Sequence, residues 1–136
     1  MPQTRNQVLA ETNLEGGVWR LKVIRHDIET RSWIVLASCM HAGSRVVRVS
    51  QMTLQNGEEI GEWEIEVLAR FEEHKSMNYG SDVQPLLSSV AESGSGNKGD
   101  GDSEKEGQVQ TVVSTSFYDR LMCLWRIPML KMHKRQ

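Results

Sequence analysis

Few side chains in this sequence combine a chemically active type with an informative spacing. His41 lies in the turn sequence H-A-G-S, just after an apolar run, and histidine titrates near neutral pH, as a general base requires. Cys39 lies two residues earlier, so both side chains would share one face of a continuing strand and form half of a metal site. The sequence supplies no second half. We therefore expect no bound metal ion and no cofactor.

Other catalytic patterns are missing from the sequence. It contains no G-x-S-x-G nucleophile elbow, no H-E-x-x-H zinc motif and no C-x-x-C pair. The 16 basic residues against 18 acidic ones give a net charge of -2, which provides no basic field for a phosphate backbone, so no nucleic acid partner is predicted. The longest apolar run is too short to span a bilayer, so no membrane insertion is predicted. Cys39 and Cys123 lie in apolar runs, which fits reduced thiols and a cytoplasmic location.

The elements that would position these residues are strands. Residues 18–23 alternate apolar and polar side chains, and the fully apolar run 33–40 predicts a strand that is buried on both faces. A polar link, 25–32, separates the two. The β-branched run 45–49 follows the buried strand after a tight link, so these two strands should pair as a hairpin. Residues 8–11 look like the outer strand of a preceding unit.

The rest of the chain contains two further candidate strands, a polar insertion and a second hairpin. Residues 62–71 alternate as a strand does, although their Glu, Leu, Ala and Arg content leaves a helix as the alternative. A turn is expected at Asn56-Gly57, and a short strand at 77–83. The stretch 86–110 is rich in Ser, Gly and charged residues, which predicts a disordered insertion. The sequence from 111 to 127 predicts a hairpin that turns at Tyr118-Asp119-Arg120.

Two hairpins with one layout, each preceded by a short strand, indicate a repeat architecture. The second copy, S-T-S-F-Y-D followed by L-M-C-L-W, resembles a WD-repeat blade. In that blade pattern a histidine, a serine or threonine, an aspartate and a tryptophan form a buried hydrogen-bonded stack, which satisfies the carboxylate. The matching residues here are His74, Thr115 or Ser116, Asp119 and Trp125. In the first copy His41 stands where the aspartate is expected.

The segments G-G-V-W-R-L-K (16–22), A-S-C-M-H-A-G (37–43), M-N-Y-G-S-D (77–82) and S-T-S-F-Y-D (114–119) resemble motifs of the methylated-diphthine methylhydrolases, also called diphthine methyltransferases. The resemblance implies an all-β WD-repeat β-propeller. It also implies hydrolysis of the methyl ester of methylated diphthine on translation elongation factor two, the protein partner, in diphthamide biosynthesis. In the family a tryptophan follows the aspartate of Y-G-x-D, whereas this chain has Val83 at that position.

The resemblance also implies the organisation of the chain and its candidate site. The chain would be a C-terminal fragment of about two blades, since the family has about seven. These blades would be residues 12–71 and 72–127 within a partial propeller, 7–127, followed by a basic tail, 128–136. The candidate catalytic residues are His41, Tyr79 and Asp82, of which the last two would face the central opening of the propeller. The four tryptophans, Trp19, Trp33, Trp63 and Trp125, would pack in the core or between blades.

Other functions remain open at the level of sequence. Propellers commonly supply rigid surfaces for protein binding, so a non-catalytic WD-repeat scaffold, including a trafficking adaptor, is the first alternative. An inactive truncated fragment is the second, because two blades alone would leave open sheet edges and an unclosed ring. For the same reason we expect the isolated chain to be unstable or to associate through its edges.

Overall fold

The computed structural model describes residues 6–53, 60–85 and 109–128. All regular secondary structure in these ranges is β-strand, which confirms the predicted all-β class. Seven strands follow in chain order: β1 (Arg20–Asp27), β2 (Ser32–Ser38), β3 (Ser44–Thr53), β4 (Ile60–Phe71), β5 (Asn78–Val83), β6 (Val109–Ser116) and β7 (Leu121–Pro128). Within the described ranges there is no helix long and apolar enough to cross a membrane.

The strands form two antiparallel sheets in which neighbours in sequence are neighbours in space. The first sheet has the order β1-β2-β3-β4, and the second has the order β5-β6-β7. The predicted hairpins are both present. Ser32 to Ser38 of β2 pair with Ser50 to Ser44 of β3, and Val109 to Ser116 of β6 pair with Pro128 to Leu121 of β7.

Several boundaries differ from those that the sequence predicted. Among them, β3 continues to Thr53 rather than ending at residue 49, and β7 includes Pro128 of the predicted tail. The first strand runs through the polar link as far as Asp27, where the Asp27 carboxylate accepts hydrogen bonds from the amides of Glu29 and Thr30 and so forms the turn. Residues 8–11 form no strand. Val109 and Gln110 belong to β6 rather than to the insertion, because Gln110 is paired with Ile127.

The ambiguous segment is a strand. Ile60–Phe71 pairs along its length with β3, with two irregularities in register, so the helical alternative is wrong. Pairing with a neighbouring strand overrides the helix propensity of its Glu, Leu and Ala residues. The expected turn at Asn56-Gly57, residues 86–108 of the insertion and residues 129–136 of the tail lie outside the described residues.

The first sheet is apolar on both faces. One face packs against the second sheet, and this core contains Ile34, Leu36, Val46, Val112 and Ile127. The opposite face carries a second cluster, made by Leu14, Val35, Ala37, Cys39 and Val47. The fully apolar pattern of β2 therefore serves two separate layers, as expected for a central strand that is covered on both sides.

A buried polar network fixes the two sheets against each other. The Ser44 hydroxyl lies 2.9 Å from the Ser81 hydroxyl and 3.2 Å from Asn78 Oδ1, and Ser38 donates to Ser81 at 3.0 Å. The side-chain nitrogen Nδ2 of Asn78 donates to the carbonyl of Thr115 at 2.8 Å. Since buried polar groups are costly unless they are paired, this network favours one alignment of the sheets over others.

Arg45 connects the first sheet to two neighbouring segments. Its side chain is 2 % exposed, and Nη2 donates to Glu15 at 3.1 Å and to Glu72 at 3.0 Å. Nη1 donates to the carbonyl of Ala42 at 2.7 Å. One buried guanidinium therefore holds the segment that enters β1, the β2–β3 turn and the segment that leaves β4 at the same end of the sheet.

Candidate functional site

The four motif segments meet at one end of the two sheets. The amides of Met40 and Asn78 each donate to the carbonyl of the other residue, at 3.0 and 2.9 Å, which joins the second segment to the third. The Phe117 amide donates to the carbonyl of Met77 at 3.0 Å, which joins the third segment to the fourth. The Trp19 amide donates to Ser38 and brings the first segment to the second.

Gly16 and Gly43 allow these close approaches. A Cβ on Gly16 would lie 2.1 Å from the carbonyl oxygen of Cys39, so any side chain there would separate the two segments. Gly43 has a φ of +83°, in the left-handed region, and a Cβ on it would lie 2.2 Å from the carbonyl oxygen of Phe71. Backbone packing thus explains one glycine in each of two motif segments, Gly16 of the G-G element and Gly43 of the H-A-G element.

His41 lies at the tip of the β2–β3 turn. The turn is closed by a hydrogen bond from the Cys39 amide to the Gly43 carbonyl, at 2.8 Å, and it requires a positive φ at Met40. The imidazole is exposed, and no side chain or backbone group of the described residues forms a hydrogen bond with it. It lines a cleft of about 500 Å³, together with residues of the segment before β5 and of the β6–β7 turn: His74, Lys75, Ser76, Met77, Tyr118 and Asp119.

The other two candidate catalytic residues are arranged differently. Tyr79 lines a second cleft, of about 330 Å³, on the side of Phe117 and Arg120. Asp82 forms an ion pair with Lys22, and the hydrogen bond from Lys22 holds the pKa of this carboxyl below its usual value. Asp82 lines neither cleft. The structure therefore brings His41 and Tyr79 to the same end of the sheets but does not gather the three side chains around one cavity.

The predicted blade stack is a continuous chain of hydrogen bonds. Trp125 Nε1 donates to Ser114 Oγ at 3.1 Å, and Ser114 Oγ lies 2.7 Å from His74 Nε2. His74 Nδ1 lies 2.9 Å from Ser116 Oγ, which in turn donates to the Asp119 carboxylate. The Ser116 hydroxyl hydrogen is used by Asp119, so Ser116 accepts from Nδ1–H of His74. Burial lowers the pKa of His74 and favours the neutral ring, in which Nε2 accepts from the Ser114 hydroxyl.

Ser114 is the member of the stack that the sequence analysis missed. Thr115, which it named as an alternative to Ser116, is exposed, and its hydroxyl donates to the Gly80 carbonyl instead. Side chains at positions i and i+2 of a strand share a face, so Ser114 and Ser116 point to the core and Thr115 points away. Applying this period to β6 would have identified Ser114 from the sequence.

The stack does not have the connectivity of a catalytic triad, although it contains serine, histidine and aspartate. In a triad the histidine lies between the serine and the aspartate, whereas here Ser116 lies between His74 and Asp119. His74 is 5 % exposed, and burial lowers its pKa, an effect that the nearby Asp119 carboxylate opposes. Since both ring nitrogens are occupied by serines, His74 cannot take a proton from a substrate.

Four aromatic side chains at the same end form a cluster that the sequence analysis did not predict. The ring centroids of Trp19 and Tyr79 are 5.1 Å apart, those of Tyr79 and Phe117 are 6.0 Å apart, and those of Phe117 and Tyr118 are 5.2 Å apart. Trp19 is 58 % exposed, so it lies outside the core, and its ring contacts Tyr79 of the second sheet; packing between blades stays a prediction for this tryptophan. The sequence did contain a signal for this cluster, because three of the four motif segments carry an aromatic residue.

The described residues contain no group of three or more His, Cys, Asp or Glu side chains that could hold a metal ion. Cys39 is fully buried, and burial raises the pKa of its thiol, an effect that Arg45 opposes. A protonated, buried thiol is a poor metal ligand and a poor nucleophile. The exposed His41 and the buried Cys39 therefore do not act as a pair, and the remaining chemistry at this end belongs to His41, Tyr79 and the aromatic cluster.

Comparison with known proteins adds no further assignment, because no protein-family model, no curated protein and no solved structure matches the chain.

Proposed function

We propose that the two sheets are two blades of a WD-repeat β-propeller. The proposal is supported by their outer faces, which are apolar where those of a two-sheet sandwich would be polar. Leu21 and Val23 are exposed on the side of the first sheet that faces away from the second, and Met122 and Leu124 are exposed on the far side of the second. Both sides thus present a surface on which a further sheet would pack.

Two further observations support this architecture. Sheets stacked around an axis bring their first strands together at the centre, and here β1 and β5 are joined by the Lys22–Asp82 ion pair. The blade stack connects the segment before β5, through His74, to β6, to the β6–β7 turn and to β7. It contains the residue types of the WD-repeat pattern in the corresponding order along the chain.

The function that we propose is hydrolysis of the methyl ester of methylated diphthine on translation elongation factor two. The observation that carries it is the convergence of the four motif segments. They are spread from residue 16 to residue 119, yet each contacts another at one end of the sheets. A shared site requires its parts to lie together, and the convergence of these segments meets that requirement.

The residues at this end favour a water nucleophile. None of the serine hydroxyls described around the motif segments forms a hydrogen bond with His41, the base that a serine nucleophile would need: Ser38, Ser44, Ser76, Ser81, Ser114 and Ser116. Water would attack the ester carbonyl while His41 takes its proton. The bond from the carbonyl carbon to the methoxy oxygen would then break, and the leaving oxygen would take the proton from His41, giving methanol and a carboxylic acid that releases its proton to water.

A non-catalytic scaffold is the second candidate. It is favoured by the separation of the candidate residues, because His41 and Tyr79 line different clefts and Asp82 is occupied by Lys22. His41 also has no hydrogen-bond partner within the described residues that would fix its tautomer. On this alternative the exposed end of the sheets would bind a protein without changing it.

Release of methanol from methylated elongation factor two tests the proposal. The assay compares the longest gene product that contains this chain with its His41→Gln and His26→Gln variants; His26 is an exposed histidine that stacks on Trp33, away from the motif segments. We expect methanol release that falls by about 100-fold or more in His41→Gln and is retained in His26→Gln. A folded protein that binds the elongation factor and releases no methanol would establish the scaffold instead.

A further inference from the structure

The outer face of the second sheet repeats, row by row, the face of the first sheet that packs on it. Each of these faces has a row with two apolar residues, and in the next row away from the motif segments the later strand of the hairpin carries an arginine. The matching residues are Leu36 with Val46 and Arg48 on the first sheet, and Val113 with Leu124 and Arg126 on the second. The apolar row of the first face is buried in the core between the sheets, whereas Leu124 is 71 % exposed.

The outer face of the first sheet repeats the other half of the same interface. Within the chain, Val83 and Val112 pair with each other on the face of the second sheet that meets the first. In the same alignment, their places on the first sheet are taken by Val23 and Val35, which pair with each other on the side away from the second sheet. Val23 is 57 % exposed. The chain therefore carries both halves of its inter-sheet interface a second time, one on each outer side.

One contact of this interface changes from polar to apolar on both of its sides. Within the chain, Ser44 of the first sheet faces Ser81 of the second, and their hydroxyls are 2.9 Å apart. In the same alignment, Met122 takes the place of Ser44, and Leu21 takes the place of Ser81. Met122 is 66 % exposed and Leu21 is 62 % exposed. An apolar side chain opposite a serine would leave the hydroxyl unpaired, whereas Met122 and Leu21 are matched to each other.

The two outer faces lie on opposite sides of a two-layer structure, so they can meet only when one molecule stacks on another. We infer that the outer face of the second sheet binds the outer face of the first sheet in another copy of this chain, head to tail. Met122 and Leu124 of one molecule then contact Leu21 and Val23 of the next. Each such contact leaves one outer face open at either end, so association continues into rings or filaments.

Mixing two variants, each with one face blocked, tests the inference by sedimentation velocity. Leu21→Thr with Val23→Thr blocks one face, and Met122→Thr with Leu124→Thr blocks the other. At about 100 µM, which saturates contacts of micromolar affinity, the unmodified full chain should form species larger than a dimer, and each variant alone should be monomeric. An equimolar mixture should form a dimer and nothing larger. A variant that dimerises alone, a mixture that stays monomeric, or a monomeric unmodified chain would each overturn the inference.

A charge pair tests the contact between positions 21 and 122 directly. Leu21→Glu and Met122→Lys each place a charge against an apolar partner, and each should lower the association constant at least about tenfold. The chain with both substitutions should associate at least about threefold more strongly than either single variant, because opposite charges then meet. Ile28→Glu, in the exposed β1–β2 turn, is the matched control and should stay within about twofold of the unmodified chain. A double variant no stronger than the single ones would contradict the contact.

The head-to-tail contact and the proposed hydrolase can fail separately, because sedimentation measures the contact without a substrate. Head-to-tail assembly of a protein that releases no methanol keeps the contact and refutes the hydrolase. Methanol release together with a chain that stays monomeric keeps the hydrolase and refutes the contact.

Discussion

His74 shows how a hydrogen-bond network sets the protonation state of one residue. Its Nδ1 must donate to Ser116, since the Ser116 hydroxyl hydrogen is used by Asp119. In the neutral ring Nε2 accepts from Ser114, whose oxygen also accepts from Trp125. Burial lowers the pKa of the ring and favours this neutral form, because a charged imidazolium loses its hydration there.

Stability should therefore depend on pH through His74. Its pKa in the folded protein lies below the ordinary value of 6.5, so the unfolded chain binds more protons as the pH falls below 6.5. The contribution is complete above pH 6.5 and is lost as the pH decreases toward the folded-state pKa. Asp82 and Asp119 also have lowered pKa values and add a second loss below pH 3.8. Urea unfolding between pH 8 and pH 3 measures both steps.

The matched variants for this pH dependence are His74→Gln and His41→Gln. The first removes the titrating group and should flatten the step that begins below pH 6.5, while the second removes an exposed histidine and should leave that step unchanged. A step that survives in His74→Gln would show that another group is responsible.

Ser114 should be more important for stability than its neighbour Thr115. Ser114→Ala leaves the indole N–H of Trp125 and Nε2 of His74 without partners in the core, which should cost about 2 kcal/mol of unfolding free energy. Thr115→Ala removes one exposed hydroxyl with a 3.4 Å contact and should change it by less than about 0.5 kcal/mol. Chemical denaturation of the two variants at pH 8 checks the difference, and equal costs would contradict the stack as described.

The sequence could predict residue types that depend on a local pattern, but not contacts that depend on the approach of distant segments. The spacing from Asp119 to Trp125 lies within one hairpin and could be recognised directly. The aromatic cluster joins residues 19, 79 and 117, whose proximity depends on how the two sheets pack. Apolar character alone could not show that Trp19 lies outside the core and contacts Tyr79.

At the scale of elements, the segment before β1 is held against the β2–β3 turn by its two glycines. Gly16 has a backbone oxygen in the space that a Cβ would need, while Gly17 faces only the flexible end of Met40, with Sδ 2.8 Å from the Cβ position. A backbone atom cannot move without moving the turn, whereas a methionine side chain can change rotamer.

We therefore expect Gly16→Ala to destabilise the protein by about 1 to 3 kcal/mol, as for other overpacked sites. Gly17→Ala is the matched control and should cost less than about 0.5 kcal/mol. Urea unfolding monitored by tryptophan fluorescence compares the two. If Gly17→Ala were the more damaging substitution, the contact between Gly16 and the Cys39 carbonyl would not be the constraint that we describe.

Strand positions were easier to predict than strand ends. Alternation identified β1, and apolar and β-branched runs around tight turns identified the hairpins. The strand β1 nevertheless continues to Asp27, because His26 and Asp27 pair with Trp33 and Ser32 of β2. That pairing is a tertiary effect that the polar sequence 25–32 does not reveal. Similarly, β4 could be separated from a helix only by its pairing with β3, because its composition suits both structures.

The whole molecule presents apolar surface on both outer faces. Leu124 is 71 % exposed on one side and Leu21 is 62 % exposed on the other. Exposed apolar surface of this kind promotes association. We expect the isolated chain to associate in a concentration-dependent manner, which sedimentation at several concentrations would measure.

Polar substitutions separate the contributions of the two faces. Leu21→Thr with Val23→Thr should weaken association through the first sheet, and Leu124→Thr should weaken it through the second. Ile28→Thr replaces an exposed apolar residue in the β1–β2 turn and should have little effect. A monomer with a sharp unfolding transition that is independent of concentration would contradict the expectation.

The pair of main-chain hydrogen bonds between Met40 and Asn78 makes separation of the two sheets measurable by hydrogen exchange. These amides exchange their protons with solvent only when the two sheets separate, whereas the amides inside each ladder are protected by pairing within that sheet. Faster deuterium uptake at residues 40 and 78 than in β2 or β6 would mean that the two sheets separate from each other before either sheet unfolds. Equal rates would mean that the two layers open as a single cooperative unit.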